Sequence, residues 1–189
     1  MDVLEAIRTR RTIAKFRPEP IPPQTLREVL AAGVWAPNHH LTEPWRFVIL
    51  GPETQRQLAE RFGELKAAKA RGESPDRGER LRADSVRQFL AVPAIIAMAA
   101  AQEGEEQRRI EDYAAVCCAA QNVQLAAWAA GIGTKWSTAG VTRDPLAYEL
   151  LGLDPDRFTI IGFLFAGYPA EVPARERRRP LDEVIRTTP

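Results

Sequence analysis

Apolar residues recur along the chain at two spacings, one belonging to helices and one to strands. Asp2 stands as an N-cap with Glu5 three places on, and Val3, Leu4 and Ile7 share the spacing of one buried helical face. This predicts a first helix ending near Thr9. The prolines from Pro18 to Pro23 fix the backbone outside the helical range, so an ordered loop follows. Leu26, Val29, Leu30 and Gly33 resume helical spacing, and Pro37 closes that element before the polar turn Asn38-His39-His40. Trp45 to Leu50 reads as a strand stopped by Gly51-Pro52, and Leu58, Phe62 and Leu65 mark a further amphipathic helix. The polar stretch from Ala70 to Arg80 reads as a mobile connection.

Beyond it, Ala94 to Ala100 has the character of a buried strand, and a helix from about Ile110 to Ala130 is apolar almost all the way round. Such a helix needs neighbours on every side, which a second copy of so short a chain would help to supply. Gly131-Ile132-Gly133 caps it, and Thr134 to Trp136 starts another strand. Asp144-Pro145 opens a short helix through Leu151, and Phe158 to Ala166 is the strongest strand signal. Helices interleaved with a few strands predict one α+β domain over residues 1–189 with a central sheet, residues 165–189 forming a C-terminal arm.

Composition narrows the function. With 45% hydrophobic and 27% charged residues the chain has ordinary globular make-up, so a disordered or fibrous role is excluded. A formal charge of +1 gives no general attraction for nucleic acid or anionic lipid, and Arg175 to Arg179 is the one basic run. Neither is expected as a partner. Cys117 and Cys118 are helical neighbours that no ordinary disulfide can join, and Asp2 and Glu5 spoil a signal peptide, so a reducing cytoplasm is expected. Gln121, Asn122 and Gln124 interrupt the most apolar run, which therefore reads as a buried helix and not a membrane span.

Several chemistries lack their motifs. Gly131-Ile132-Gly133 follows a helix instead of a strand, against a dinucleotide fingerprint, and neither a phosphate-binding Gly-Lys-Ser/Thr loop nor a serine elbow occurs. His39 and His40, the only histidines, are adjacent and do not make a metal set, so no metal is expected. What remains is Arg10-Arg11-Thr12, two fork-shaped cations and a hydroxyl just after a helix, suited to a phosphate and a polyol. Taken by themselves, the same residues read more readily as a solvated basic helix end that satisfies its own carbonyls.

Four blocks, in order, resemble the nitroreductase family. Arg10-Arg11-Thr12-Ile13-Ala14-Lys15-Phe16 is similar to its N-terminal motif, and Ala36 through Phe47 to its second flavin loop. Ala120-Gln121-Asn122 through Thr138 is similar to its central helix and flavin-edge turn, and Arg178 through Val184 to its basic arm. The resemblance implies a central, mainly antiparallel sheet flanked by helices in an intertwined homodimer, with two flavin mononucleotide (FMN) sites each built from both chains. It implies an NADH- or NADPH-driven oxidoreductase reducing nitroaromatic or quinone-like small molecules by ping-pong hydride transfer through flavin N5, with no side chain acting as nucleophile. Carried over, Arg10, Arg11, Thr12 and Arg178 would hold the phosphate, Trp35 and His39 would reach the flavin from the partner, and Trp136, Ser137 and Thr138 would line its edge. Two positions depart from the pattern: Ala14 where a basic residue is frequent, with Lys15 next to it, and Glu43 where glutamine is usual. The other class of reading is a flavin-holding or partner-binding protein without turnover.

Overall fold

The computed structural model describes residues 1–70, 75–174 and 178–188. Its elements are α1 (Val3–Thr9), α2 (Pro23–Ala31), β1 (Trp45–Ile49), α3 (Pro52–Ala70), α4 (Pro75–Leu90), β2 (Ala94–Ala101), α5 (Glu106–Ala129), β3 (Gly133–Ser137), α6 (Pro145–Leu151) and β4 (Phe158–Gly167). The strands form one antiparallel sheet in the order β1-β2-β4-β3. The architecture is therefore α+β, as the interleaved apolar segments predict.

Side-chain alternation sorts the sheet into two faces. On one face Ile96, Met98 and Ala100 of β2 and Ile161, Leu164 and Ala166 of β4 pack on Val116, Ala119, Ala120 and Val123 of α5. On the other, Ile95, Ala97, Ala99, Ile160, Phe163 and Phe165 meet Leu58 of α3, Phe89 of α4 and Ala147 of α6. Both faces are covered, which is why β2 and β4 are continuously apolar instead of alternating. A bulge in β4 shifts the register between the pairs Met98–Gly162 and Ala99–Ile160. It resets the alternation, sending Ile161 to the α5 side and Phe163 to the other.

Local signals account for the helix ends. Asp2 accepts the Glu5 amide at 2.8 Å and caps α1, while Asp144 caps α6 by accepting the Leu146 amide at 3.1 Å, with Pro145 at the first helical position. Asp144 is buried and also receives Arg61 of α3 through Nε at 2.9 Å and Nη2 at 2.8 Å, so one carboxylate fixes both the start of α6 and its seat on α3.

Two sequence expectations need correction. Val3, Leu4 and Ile7 are exposed, and only Ala6 of α1 is buried. This seven-residue helix rests on α5 through Ala6 and a Trp128 Nε1 to Thr9 Oγ1 hydrogen bond of 2.9 Å, and its apolar face looks away from the chain's own core. The supposed connection from Ala70 to Arg80 is helical from Pro75 onward, its residues 71–74 lying outside those described. α4 pairs with α3 where Gly63 lets Val86 and Arg82 approach closely, and Arg82 reaches Glu60 at 2.8 Å. The chain alone does not surround α5, in keeping with its all-round apolar pattern in so short a sequence: Asp112, Ala115, Val116, Ala119 and Val123 are buried, while Ile110, Tyr113, Ala114 and Cys118 are open.

Trp136 of β3 lies over Gly162 and donates Nε1 to the Ile161 carbonyl at 3.3 Å. A Cβ at residue 162 would run into the indole and the Ser137 carbonyl, with backbone unable to yield. Gly162→Ala is expected to lower stability by about 2 kcal/mol through overpacking, read as a lower urea midpoint with an unchanged m-value. A midpoint equal to wild type would refute the close approach.

Candidate functional site

The segment after α1 runs along the open edge of β3. Ile13 donates its amide to the Thr134 carbonyl at 3.0 Å, and Thr12 and Thr134 form a parallel bridge. Gly133 permits this contact, since a side chain there would strike Ile13 and Pro169. The segment after β4 returns beside it, with Phe16 bridged to Pro169 and Ala170 donating to the Lys15 carbonyl at 3.0 Å.

Between these strands lies a cleft of about 320 Å³ bordered by Arg8, Arg10, Arg11, Thr12 and Arg178, with Ile7, Pro173 and Ala174 as its apolar part. No carboxylate lines it among the described residues. Burial first, then the neighbouring charges of Arg178 and Arg11, hold the Arg10 guanidinium below the usual arginine range. Arg10 and Arg178, 168 positions apart in the sequence, thus meet at one cleft. Arg175 and Arg177 of the same basic run lie outside the described residues.

Arg11 has a second task. Its Nη1 donates to the carbonyls of Arg8 at 3.0 Å and Arg10 at 2.8 Å. These groups sit at the C-terminal end of α1, where the helix dipole is negative and would repel an anion. Arg11 offsets that end and so makes the cleft compatible with a phosphate. The plain helix-end role and the anion role are therefore not exclusive at this residue.

From the cleft, the edge continues along β3 from Thr134 to Ser137, about 10 Å of extended chain, with Thr138 just beyond its end. Trp136, Ser137 and Thr138 stand at its far end. The Trp136 ring is committed to packing on Gly162, so this end offers backbone and the two hydroxyl residues instead. Of the two departures from the family pattern, Ala14 is exposed and its neighbour Lys15 lies 3.5 Å from Glu171.

Trp35 and His39 are elsewhere. Trp35 ends a 3-10 turn after α2 and is 85% exposed. His39 Nδ1 lies 2.8 Å from Glu111 near the start of α5, while α1 is fastened to Trp128 near its end. Seventeen helical residues separate Glu111 from Trp128, about 25 Å along the axis. One chain does not bring its His39 to its own arginine cleft.

The turn carrying His39 is unusual. His40, Leu41 and Glu43 all have positive φ (55°, 52° and 43°), a conformation costing about 1–3 kcal/mol per residue unless held by its surroundings. The holders are Asn38, whose side-chain oxygen accepts the Glu43 amide at 3.0 Å, Glu111 on His39, and Asp112, which accepts Thr42 Oγ1 at 2.5 Å. Hydrogen bonds from Gln107 and then His39 keep the Glu111 carboxyl below the usual carboxylate range. Glu111 and Asp112 are absent from the sequence expectations. The signal for Asp112 was present, a lone acid on the helical face that carries Ala115, Val116 and Ala119.

Arginines converging on a half-buried cleft, with no carboxylate lining it among the described residues, predict anion binding. At low ionic strength, inorganic phosphate at ten times its dissociation constant should stabilise by about 1.4 kcal/mol, a rise in melting temperature of roughly 3–5 °C. Arg10→Ala should abolish most of the rise. An equal rise in the variant would remove the cleft from consideration.

The model of the nitroreductase family matches residues 7–168. YfhC of Bacillus subtilis (strain 168), provisionally named an NAD(P)H nitroreductase, is 34% identical over 94% of this chain and 89% of its own. The crystal structure of a nitroreductase-like family protein from Bacillus cereus superposes with a TM-score of 0.84 at 31% identity, over 100% of this chain and 96% of the other. A Desulfovibrio desulfuricans protein crystallised in complex with FMN has a TM-score of 0.72 at 27% identity, covering 99% and 96%. The match runs from within α1 to just past β4 and takes in Arg10, Arg11, Thr12 and the strained turn, with Arg178 beyond its end, and on it the chain belongs to the nitroreductase family.

Proposed function

We propose that the chain is an FMN-dependent NAD(P)H oxidoreductase that works as a homodimer and reduces nitroaromatic or quinone-like acceptors in two successive half-reactions. The observation that carries this reading is the cleft where Arg10, Arg11 and Arg178 converge, lined by no carboxylate among the described residues and opening onto the β3 edge. Its donor set fits a phosphate dianion, the group that distinguishes FMN from uncharged flavins. When bound, FMN supplies two-electron hydride exchange at N5 between a nicotinamide and an acceptor.

The chain's own residues take up positions around that chemistry. Arg10 and Arg178 bind the phosphate, Thr12 offers a hydroxyl to the ribityl chain, and Arg11 neutralises the helix end beside them. Backbone groups at Trp136 to Thr138 face the ring edge, with Trp136 holding β3 in place from behind. Trp35 and His39 close the site from the second copy. The 25 Å of α5 between His39 and the cleft supports a shared site, because neither half is complete in one chain. The exposed apolar residues of α1 and of the open α5 face, with Leu181, Val184 and Ile185 near the C-terminus, give the second copy something to bury.

No cluster of three or more histidine, cysteine, aspartate or glutamate side chains able to hold a metal occurs among the described residues, and no described helix is long and apolar enough to cross a membrane. A flavin-holding role without turnover is the reading that catalysis must beat. The purified protein is expected to show an oxidised-flavin absorption band, to sediment at twice 21.1 kDa, and to lose the band anaerobically on adding NADH or NADPH. A band that neither donor bleaches would favour flavin holding. A chain that takes up no flavin on reconstitution with FMN would overturn the proposal.

A further inference from the structure

The turn at residues 38–43 buries no side chain within its 3-10 segment His39–Leu41, yet it holds three non-glycine residues at positive φ. Nothing in the core demands that conformation. Its two outward anchors are successive residues of α5, Glu111 on His39 and Asp112 on Thr42, residues three places apart on the turn.

Asp112 is the more informative of the two. It is 2% exposed on the buried face of α5, and a carboxylate so placed is costly unless it is partnered. An alanine-like residue, as at most neighbouring buried positions of the helix, would pack without that cost. Asp112 Oδ1 accepts the Thr42 hydroxyl at 2.5 Å, within the range of charge-assisted hydrogen bonds, and Oδ2 has Arg108 Nε only at 3.9 Å. The hydroxyl of Thr42 is thus its one close partner among the hydrogen bonds of the described residues. Thr42 in turn stands between Leu41 and Glu43, both at positive φ.

We infer that Asp112 is a positioning residue: through Thr42 it clamps the 38–43 turn in its strained form, and so fixes where His39 is presented to the flavin. This rests on the FMN reading above. In the shared site the clamp of one protomer acts on the flavin held by the arginines of the other. Residues 38–43 belong to neither core cluster, so the clamp can be altered without removing a core contact.

Thr42→Val keeps the shape and β-branching of the residue and removes the hydroxyl, and Thr42→Ser keeps the hydroxyl. On flavin-free protein, amide hydrogen exchange in residues 38–43 is expected to quicken at least about tenfold in Thr42→Val, with α5 and the sheet unchanged. FMN affinity, read by quenching of flavin fluorescence, should weaken about tenfold in the same variant. Thr42→Ser should restore both. Wild-type exchange or wild-type affinity in Thr42→Val, or a serine variant as impaired as the valine one, would overturn the inference. A wild-type chain that fails to bind FMN would instead sink the flavin reading, while the exchange experiment still decides whether the clamp exists.

Discussion

The length of α5 is the constraint on which the rest depends. A helix of 24 residues spans about 36 Å, more than the sheet it lies against, and it carries the strained turn near one end and α1 near the other. Its buried face is made of small residues and valines that let the sheet approach closely, and this places β2 and β4 at the centre of the molecule. Its other face is left open, with Ile110, Tyr113 and Cys118 uncovered. The same rigid rod therefore separates the strained turn from the arginine cleft and leaves an apolar stripe between them. Pairing of two copies would answer both conditions at once.

Charge placement gives the second half of the account. Three arginines converge beside the C-terminal end of α1, where burial and their mutual repulsion cost free energy that an anion placed among them would offset. Arg11 itself serves the carbonyls at that helix end. Strain in the 38–43 turn follows a similar logic, since a disfavoured backbone persists only where its neighbours hold it. The cleft and the turn thus carry local costs, one electrostatic and one conformational, beside the sheet and helix core. This is the division expected of a binding site borne on a rigid scaffold.

Much of the fold was legible as periodicity. β1, β2, β4, α5 and α6 lie where the apolar runs and caps put them, because each is dominated by burial against the sheet or by a local cap. α4 was not legible: its apolar residues are sparse among arginines and acids, and it is helical because it pairs with α3 at Gly63 and through Arg82 and Glu60. Val3, Leu4 and Ile7 had the right spacing but the wrong destination, since the pattern reveals that a face is apolar and not which chain covers it. The arginine cleft was legible only by resemblance, as nothing local links Arg10 to Arg178. Asp112 was hidden inside a helix whose dominant message was hydrophobic.

The central claim is that this cleft reads a phosphate and through it orients a flavin along the β3 edge. Comparing FMN with riboflavin in titrations of the flavin-free protein isolates that claim, because the two ligands differ only in the phosphate. FMN should bind at least about a hundredfold more tightly, a preference that fades as salt is raised and vanishes in Arg10→Ala. Equal affinity for the two ligands would contradict the account.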